Sequence, residues 1–180
     1  MNILAFAASN SRSSINQQII AHAARLLEAG LIAGAKVNII DLNDFDVPIY
    51  SIDREQATGI PGLAQALYAS IGAADALIIA YAEHNGLYTA AYKNLSDWMS
   101  RIDIKIYQGK PIVMLAASPG PGGAQRVLTL ATESAEHFGA ELQASLSIPR
   151  FYDNFDTEAG CMTELVLQAD LRQALQALAP

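Results

Sequence analysis

Short apolar runs of strand length alternate along the chain with longer segments in which apolar residues recur at helical spacing. Five such rounds occur, an alternation typical of a parallel sheet with crossover helices. The predicted strands cover residues 2–8, 36–42, 75–80, 111–117 and 140–148. The predicted helices cover residues 14–33, 61–72, 87–102, 124–138 and 162–178. We therefore predict an α/β chain with a five-stranded parallel sheet.

Five parallel strands of this kind usually take the order 2-1-3-4-5, with helices on both faces in a flavodoxin-like three-layer sandwich. Ligands then bind beyond the carboxyl ends of the strands, near the switch point between strands 1 and 3. The loops after strands 1, 3 and 4 are therefore the candidate binding loops. The segment after strand 2 is long and polar, a length that usually marks function or mobility.

Length and composition narrow the class of protein. The chain has 180 residues, 52% hydrophobic and 16% charged, which fits one compact domain over residues 1–180. Its formal net charge of -7 argues against nucleic acid as a partner. The single cysteine, Cys161, excludes an intramolecular disulfide and any multi-cysteine metal site, and we interpret it as structural. No apolar run is long enough to span a membrane, so we predict a cytoplasmic location.

The loop after strand 1 collects groups that bind anions. Between Ser9 and Ser14 it carries four serine hydroxyls and the guanidinium of Arg12, just before a predicted helix. Free N–H groups at a helix N-terminus, together with hydroxyls and a guanidinium, can hold a phosphate. No G-x-G-x-x-G or Walker sequence follows this strand, so a Rossmann dinucleotide site and nucleotide hydrolysis are both disfavoured.

The loops after strands 3 and 4 could hold a flat heterocycle. The first contains Glu83, His84, Asn85 and Gly86, in which glycine permits close approach of backbone to a ring. The second contains four predicted site residues: Ser118, Gly120, Gly122 and Gly123. His84 by itself is more often an ordinary surface residue, and no second histidine lies at metal-ligand spacing, so we predict no metal site.

These residues resemble the NAD(P)H-dependent FMN reductase family, which includes quinone-, azo- and chromate-reductase-like members. The family's G-S-x-R-x-x-S-x-N loop is matched by Ser9, Ser14 and Asn16, while its arginine falls on Ser11, one position before Arg12. Its P-E-Y-N-G-S motif is matched at Glu83, Asn85 and Gly86, with Ala82 and His84 replacing its proline and aromatic. The following Lys93-Asn94-x-x-Asp97-Trp98 is the best single match, and the resemblance spans nearly the whole chain.

The resemblance implies FMN as cofactor, with NADPH or NADH as co-substrate. It implies phosphate binding by Ser9, Ser11, Arg12, Ser14 and Asn16, and ring binding by the named residues of the other two loops. All are binding roles, with no catalytic side chain, because the flavin itself supplies the redox chemistry. The implied reaction is ping-pong hydride transfer through FMN to a small-molecule acceptor such as a quinone, an azo compound or free flavin.

Two other functions fit the predicted fold. The first is a flavodoxin-like FMN electron carrier that serves a protein partner, which the acidic charge allows. The second is a phosphoacceptor receiver, which is disfavoured because the required acidic residues are absent after strands 1 and 3. Relatives in the resembled family assemble as dimers or tetramers. A homodimer or homotetramer is therefore expected here, with contributions from Tyr88, Tyr92, Trp98, Phe151 and Tyr152 or with these side chains in the core.

Overall fold

A computed structural model of the chain describes residues 1–179. Its main sheet has five parallel strands in the order β2-β1-β3-β4-β5, which confirms the predicted flavodoxin-like fold and strand order. The strands are β1 (Asn2–Ala8), β2 (Lys36–Ile40), β3 (Ala76–Tyr81), β4 (Lys110–Ala117) and β5 (Ala140–Ile148). Every residue of β3 is buried, as expected for a central strand covered on both faces.

Seven helices accompany the sheet over the described residues: α1 (Ile15–Leu26), α2 (Ile52–Thr58), α3 (Gly62–Ala73), α4 (Ala90–Met99), α5 (Gln125–Ser134), α6 (Phe151–Asn154) and α7 (Leu165–Gln176). A two-stranded antiparallel hairpin of β6 (Phe155–Asp156) and β7 (Cys161–Met162) precedes α7. None of the helices within residues 1–179 has the length and apolar character needed to cross a membrane.

The core has two halves, one on each face of the sheet. Alternate residues of β1 divide between them: Leu4 and Phe6 face α3, α4 and α5, whereas Ile3 and Ala5 face α1 and α7. This division follows from the two-residue period of a strand. Because the central strands are covered on both faces, their ends and the loops that follow them are the parts of these strands that remain open for binding.

Several predicted element boundaries were wrong, and the caps explain most of them. Helix α4, predicted at residues 87–102, begins at Ala90 because the Thr89 hydroxyl caps it by accepting the N–H of Tyr92. The last helix begins at Leu165 because the Glu164 carboxylate caps it, and residues 161–162 pair with β6 instead. The first helix leaves regular geometry before Gly30, whose φ is 103°.

The polar segment after β2 is more ordered than the sequence predicted. A 3₁₀ turn covers Leu42–Phe45, so β2 stops at Ile40. The exposed helix α2 follows at Ile52–Thr58, capped by the Ser51 hydroxyl, which accepts the N–H of Arg54. The prediction missed α2 because, unlike the other helices, it buries no residue and so lacks an apolar face.

Candidate functional site

Three loops meet at the carboxyl edge of the sheet, as predicted from the strand order. They enclose an open depression of about 220 Å³ beyond the ends of β1, β3 and β4. Seven predicted site residues line it: Ser9, Ser11, Ser14, Asn16, Glu83, His84 and Ser118. The lining also includes residues that the prediction did not select: Ser13, Ile15, Ala82, Ala117 and Pro119. Of these, Ser13 was within reach of the sequence, because it belongs to the same hydroxyl cluster.

The first loop keeps much of its hydrogen-bonding capacity unused. Ser9 is buried and its Oγ accepts the N–H of Ser11 at 3.2 Å, while the Ser14 hydroxyl caps α1 by accepting the N–H of Gln17 at 3.3 Å. Within residues 1–179, the hydroxyls of Ser11 and Ser13 have no hydrogen-bond partner, and both residues are exposed. Free hydroxyls at the N-terminus of a helix form a suitable anion cradle. Arg12 is exposed and lies outside the depression.

Asn16 ties two of the three loops together. It is 2% exposed, and its side-chain amide donates to the Ala117 carbonyl at 3.2 Å and accepts the Ala117 N–H at 2.9 Å. Both polar ends of the side chain are thus engaged with the end of β4. A buried amide paired in both directions holds the first loop and β4 in register.

The loop after β3 is a tight hairpin turn. His84 and Leu87 exchange backbone hydrogen bonds of 3.0 and 3.1 Å, and the central Asn85 and Gly86 have φ values of 55° and 81°. Positive φ at both central residues defines a type I′ turn, for which Asn-Gly is the favoured sequence. His84 lines the depression, whereas Asn85 and Gly86 do not.

Glu83 braces this turn against the neighbouring helix. Its carboxylate accepts the N–H of Val127 at 3.1 Å, in the first turn of α5. The N-cap residue of α5, Ala124, has no side-chain acceptor, so Glu83 satisfies a helix N–H that the local sequence leaves unpaired. A carboxylate at a helix N-terminus is also favoured by the helix dipole.

The glycine-rich loop after β4 is directed towards β5 and away from the depression. Ser118 lines the depression, but Gly120, Gly122 and Gly123 do not. Gly123 has a φ of 57°, its carbonyl accepts the Ser147 hydroxyl at 2.8 Å, and a Cβ on it would collide with that hydroxyl and lie 3.0 Å from the Pro149 nitrogen. Glycine is required there by close packing against the end of β5.

The Lys93-Asn94-x-x-Asp97-Trp98 block anchors the segment that follows β2. The Asn94 side chain donates to the carbonyls of Val47 and Pro48 and accepts the N–H of Tyr50 at 2.8 Å. The Trp98 indole donates to the Pro48 carbonyl at 2.7 Å and is fully buried, so its core interpretation is confirmed. Lys93 and Asp97 form an exposed ion pair of 2.6 Å.

A second and larger concavity of about 790 Å³ lies between α4 and α5, and His84 lines both it and the depression. Its floor includes three tyrosines, Tyr88, Tyr92 and Tyr107. The hydroxyls of Tyr92 and Tyr107 are 2.5 Å apart, and burial raises the pKa of Tyr88 to about 12. Of the aromatic residues considered for an interface, Tyr92, Trp98 and Phe151 are buried in the core, whereas Tyr152 is exposed elsewhere.

Comparison with known proteins agrees with this geometry. A family model described as NADPH-dependent FMN reductase matches residues 1–151. A quinone reductase of Escherichia coli is 35% identical over 81 residues, which are 45% of this chain and 43% of that protein. An NAD(P)H-dependent FMN reductase of Pseudomonas aeruginosa is 36% identical over 107 residues, which are 58% of this chain and 56% of that protein. The matches thus span about half the length of these curated relatives.

Solved structures share the fold. FerB, a flavoenzyme NAD(P)H:(acceptor) oxidoreductase from Paracoccus denitrificans, superposes with a TM-score of 0.80 at 21% identity, covering 98% of this chain and 94% of that one. At that identity the likeness is evidence of the fold alone. The family model extends over all three loops of the depression, and the resemblance predicted from their residues is confirmed. The chain therefore belongs to the NADPH-dependent FMN reductase family.

Proposed function

We propose that this chain binds FMN in the three-loop depression and acts as an NAD(P)H-dependent oxidoreductase on a small-molecule acceptor. The observation that carries the proposal is the set of free serine hydroxyls at the N-terminus of α1, placed at the switch point of the sheet. Hydroxyl donors in the positive field of a helix N-terminus fit a dianionic phosphate. Family membership supplies the identity of the phosphate-bearing group.

The residues divide into binding and framing roles in this proposal. Ser9, Ser11, Ser13 and Ser14 surround the FMN phosphate, and Arg12 supplies charge at the rim. From the other two loops, His84 and Ser118 also line the depression, and in this proposal they contact the flavin ring. Asn16 and Glu83 line it too, but their hydrogen bonds to Ala117 and Val127 give them the additional task of holding the loops in place.

FMN, when bound, supplies the hydride and electron transfer, and the protein orients it and controls access to its ring. The depression is open to solvent beside His84, so NAD(P)H and the oxidised acceptor can occupy the same face in turn. Sequential use of one face is a ping-pong order. Quinones, azo compounds and free flavins are the acceptor classes that the family resemblance suggests.

The test begins with the purified protein. Its visible absorption is recorded after denaturation and filtration, and the cofactor-free chain is then titrated with FMN. Steady-state oxidation of NADPH and of NADH is measured with a quinone acceptor. We expect released flavin or stoichiometric FMN binding, and turnover with at least one nicotinamide. A colourless preparation that also fails to bind FMN would refute the proposal.

The alternative of a flavodoxin-like electron carrier predicts a different outcome of the same assays. A carrier binds FMN but oxidises neither nicotinamide at a useful rate when the quinone is the only acceptor. Bound FMN without turnover would therefore favour the carrier.

We further propose that the chain is a homo-oligomer whose second copy covers the α4–α5 concavity. Leu87 and Ile104, which are 59% and 47% exposed, border it together with Leu130. Exposed apolar groups around a groove of this size favour a protein contact. Sedimentation should show a dimer or larger species that Leu130→Lys weakens, and a monomeric wild type would contradict this. A cytoplasmic location, where NAD(P)H is available, completes the proposal.

A further inference from the structure

Arg126, a side chain without an ion pair or a hydrogen bond among the described residues, lies beside the turn that follows β3. A Cβ placed on Gly86 would be 3.5 Å from Cδ and 3.7 Å from Nη1 of Arg126, so this side chain runs along the Asn85-Gly86 backbone. Within residues 1–179, Arg126 has no ion-pair partner, its guanidinium donates no hydrogen bond, and its side chain is exposed.

The turn adds further donors beside this guanidinium. The backbone N–H groups of Asn85 and Gly86 have no hydrogen-bond partner among the described residues, because the turn pairs only His84 with Leu87. The nearby carboxylate of Glu83 is committed to the N–H of Val127, so it competes little for the guanidinium. Donors of this kind, planar and charged, recognise phosphate.

We propose that Arg126 binds a phosphate of the nicotinamide dinucleotide and is a specificity-determining residue for the hydride donor. This inference rests on the proposed function. In the proposed function the serines of the first loop hold the FMN phosphate, whereas Arg126 does not line the depression and lies against Gly86 in the turn after β3. Because His84 of the same turn lines the depression, a dinucleotide whose nicotinamide enters the depression would have its phosphates within reach of this turn and of Arg126.

The experiment compares three hydride donors in the FMN-loaded protein: NADPH, NADH and the phosphate-free 1-benzyl-1,4-dihydronicotinamide. Arg126→Gln and Arg126→Lys are measured with a single quinone. The control is Lys36→Gln, which removes the same charge from an exposed position at the opposite, amino edge of the sheet. FMN affinity of each variant is measured separately by titration.

We expect Arg126→Gln to lower kcat/KM for the dinucleotides by about tenfold, mainly through KM, because a charged hydrogen bond to phosphate is lost. The benzyl donor should stay within about twofold, since it has no phosphate to lose, and Arg126→Lys should recover part of the loss. Equal losses with NADH and NADPH assign the contact to the diphosphate, and a loss confined to NADPH assigns it to the 2′-phosphate. The wild-type KM should also rise with ionic strength more steeply than that of the variant.

Unchanged dinucleotide kinetics, or equal losses with all three donors, would overturn the assignment while leaving the proposed function intact. A fall in FMN affinity alone would place Arg126 on the cofactor instead and equally overturn it. A wild-type protein that binds FMN but accepts hydride from none of the three donors would overturn the proposed function and this inference together.

Discussion

The loop after β1 and the loop after β4 flank the same depression but use their polar groups in opposite ways. The first loop leaves the hydroxyls of Ser11 and Ser13 free towards solvent among the described residues. In the second, the carbonyls of Gly120 and Gly123 accept hydrogen bonds from Arg150 and Ser147, which join the loop to the end of β5. One loop leaves hydrogen-bonding groups unpaired at the depression, and the other uses its groups to join β4 to the end of β5 and so forms part of the frame.

This difference shows that a polar or glycine-rich loop can either present groups for a ligand or pack against another part of the protein. Residue type alone suggested ligand binding in both, since hydroxyls bind phosphate and glycine permits close approach. The structure shows that the close approach at Gly123 is to the protein's own strand β5. At Gly123 the glycine thus marks tight packing within the protein, and only the three-dimensional contacts identify what it packs against.

The largest expected effect concerns the free hydroxyls. Ser11→Asp should weaken FMN binding on the order of 100-fold, because two unit charges about 5 Å apart at an effective dielectric of about 20 repel by about 3 kcal/mol. Riboflavin, which lacks the phosphate, should bind with nearly unchanged affinity, and Ser11→Ala should cost FMN only a few-fold. Titration of the cofactor-free protein measures all of these. Equal losses of affinity for FMN and for riboflavin would contradict the proposal that this loop binds the FMN phosphate.

Substitutions in the glycine-rich loop after β4 should change the stability of the protein. Gly123→Ala should lower the free energy of unfolding by about 2 kcal/mol or more, because the added Cβ meets Ser147 and the backbone takes a positive φ. Gly122→Ala is the matched control: nothing lies within 4 Å of its Cβ, so a change below about 0.5 kcal/mol is expected. Urea denaturation provides the comparison, and similar effects at both glycines would contradict the packing role.

Glu83 tests whether the turn after β3 belongs with the frame or with the binding surface. Glu83→Ala should destabilise the protein by about 1–2 kcal/mol through loss of the charged hydrogen bond to the Val127 N–H. Glu83→Gln keeps an acceptor and should cost less. If FMN affinity instead fell steeply at unchanged stability, Glu83 would be a direct cofactor ligand.

The smallest expected effect concerns how the stability of the protein depends on pH through His22 on α1, the helix that follows the first loop. Burial lowers the pKa of His22 on α1 below its ordinary 6.5, assisted by the positive charges of Arg25 and Arg172. The unfolded chain therefore takes up a proton first, and stability present above the unfolded pKa is lost as pH falls through that value towards the folded pKa. Between about pH 7.5 and about pH 5.5, His22→Gln should reduce this loss by under about 1 kcal/mol. Identical pH dependence of wild type and variant would exclude His22 as the cause.

Much of the fold was predictable because its signals are local. The apolar runs found all five strands of the main sheet, and their number and spacing led to the correct order. The sequence did not predict helix α2 because this helix has no buried face. It did not predict the β6–β7 hairpin because two-residue strands show no periodicity. The turn at Asn85-Gly86 had a readable signal in its Asn-Gly pair, which favours positive φ at both positions.

By itself, the sequence determined the layered fold, the hydroxyl-rich loop at the switch point and the family motifs, because each is a pattern within a short stretch of chain. Tertiary structure alone decided which of the predicted site residues line the depression and which of them brace its loops. Asn16 meets Ala117 across 101 positions, Glu83 meets Val127 across 44, and Ser147 meets Gly123 across 24. Such pairings depend on how the strands stack side by side, and a period of two or of 3.6 residues carries no record of them.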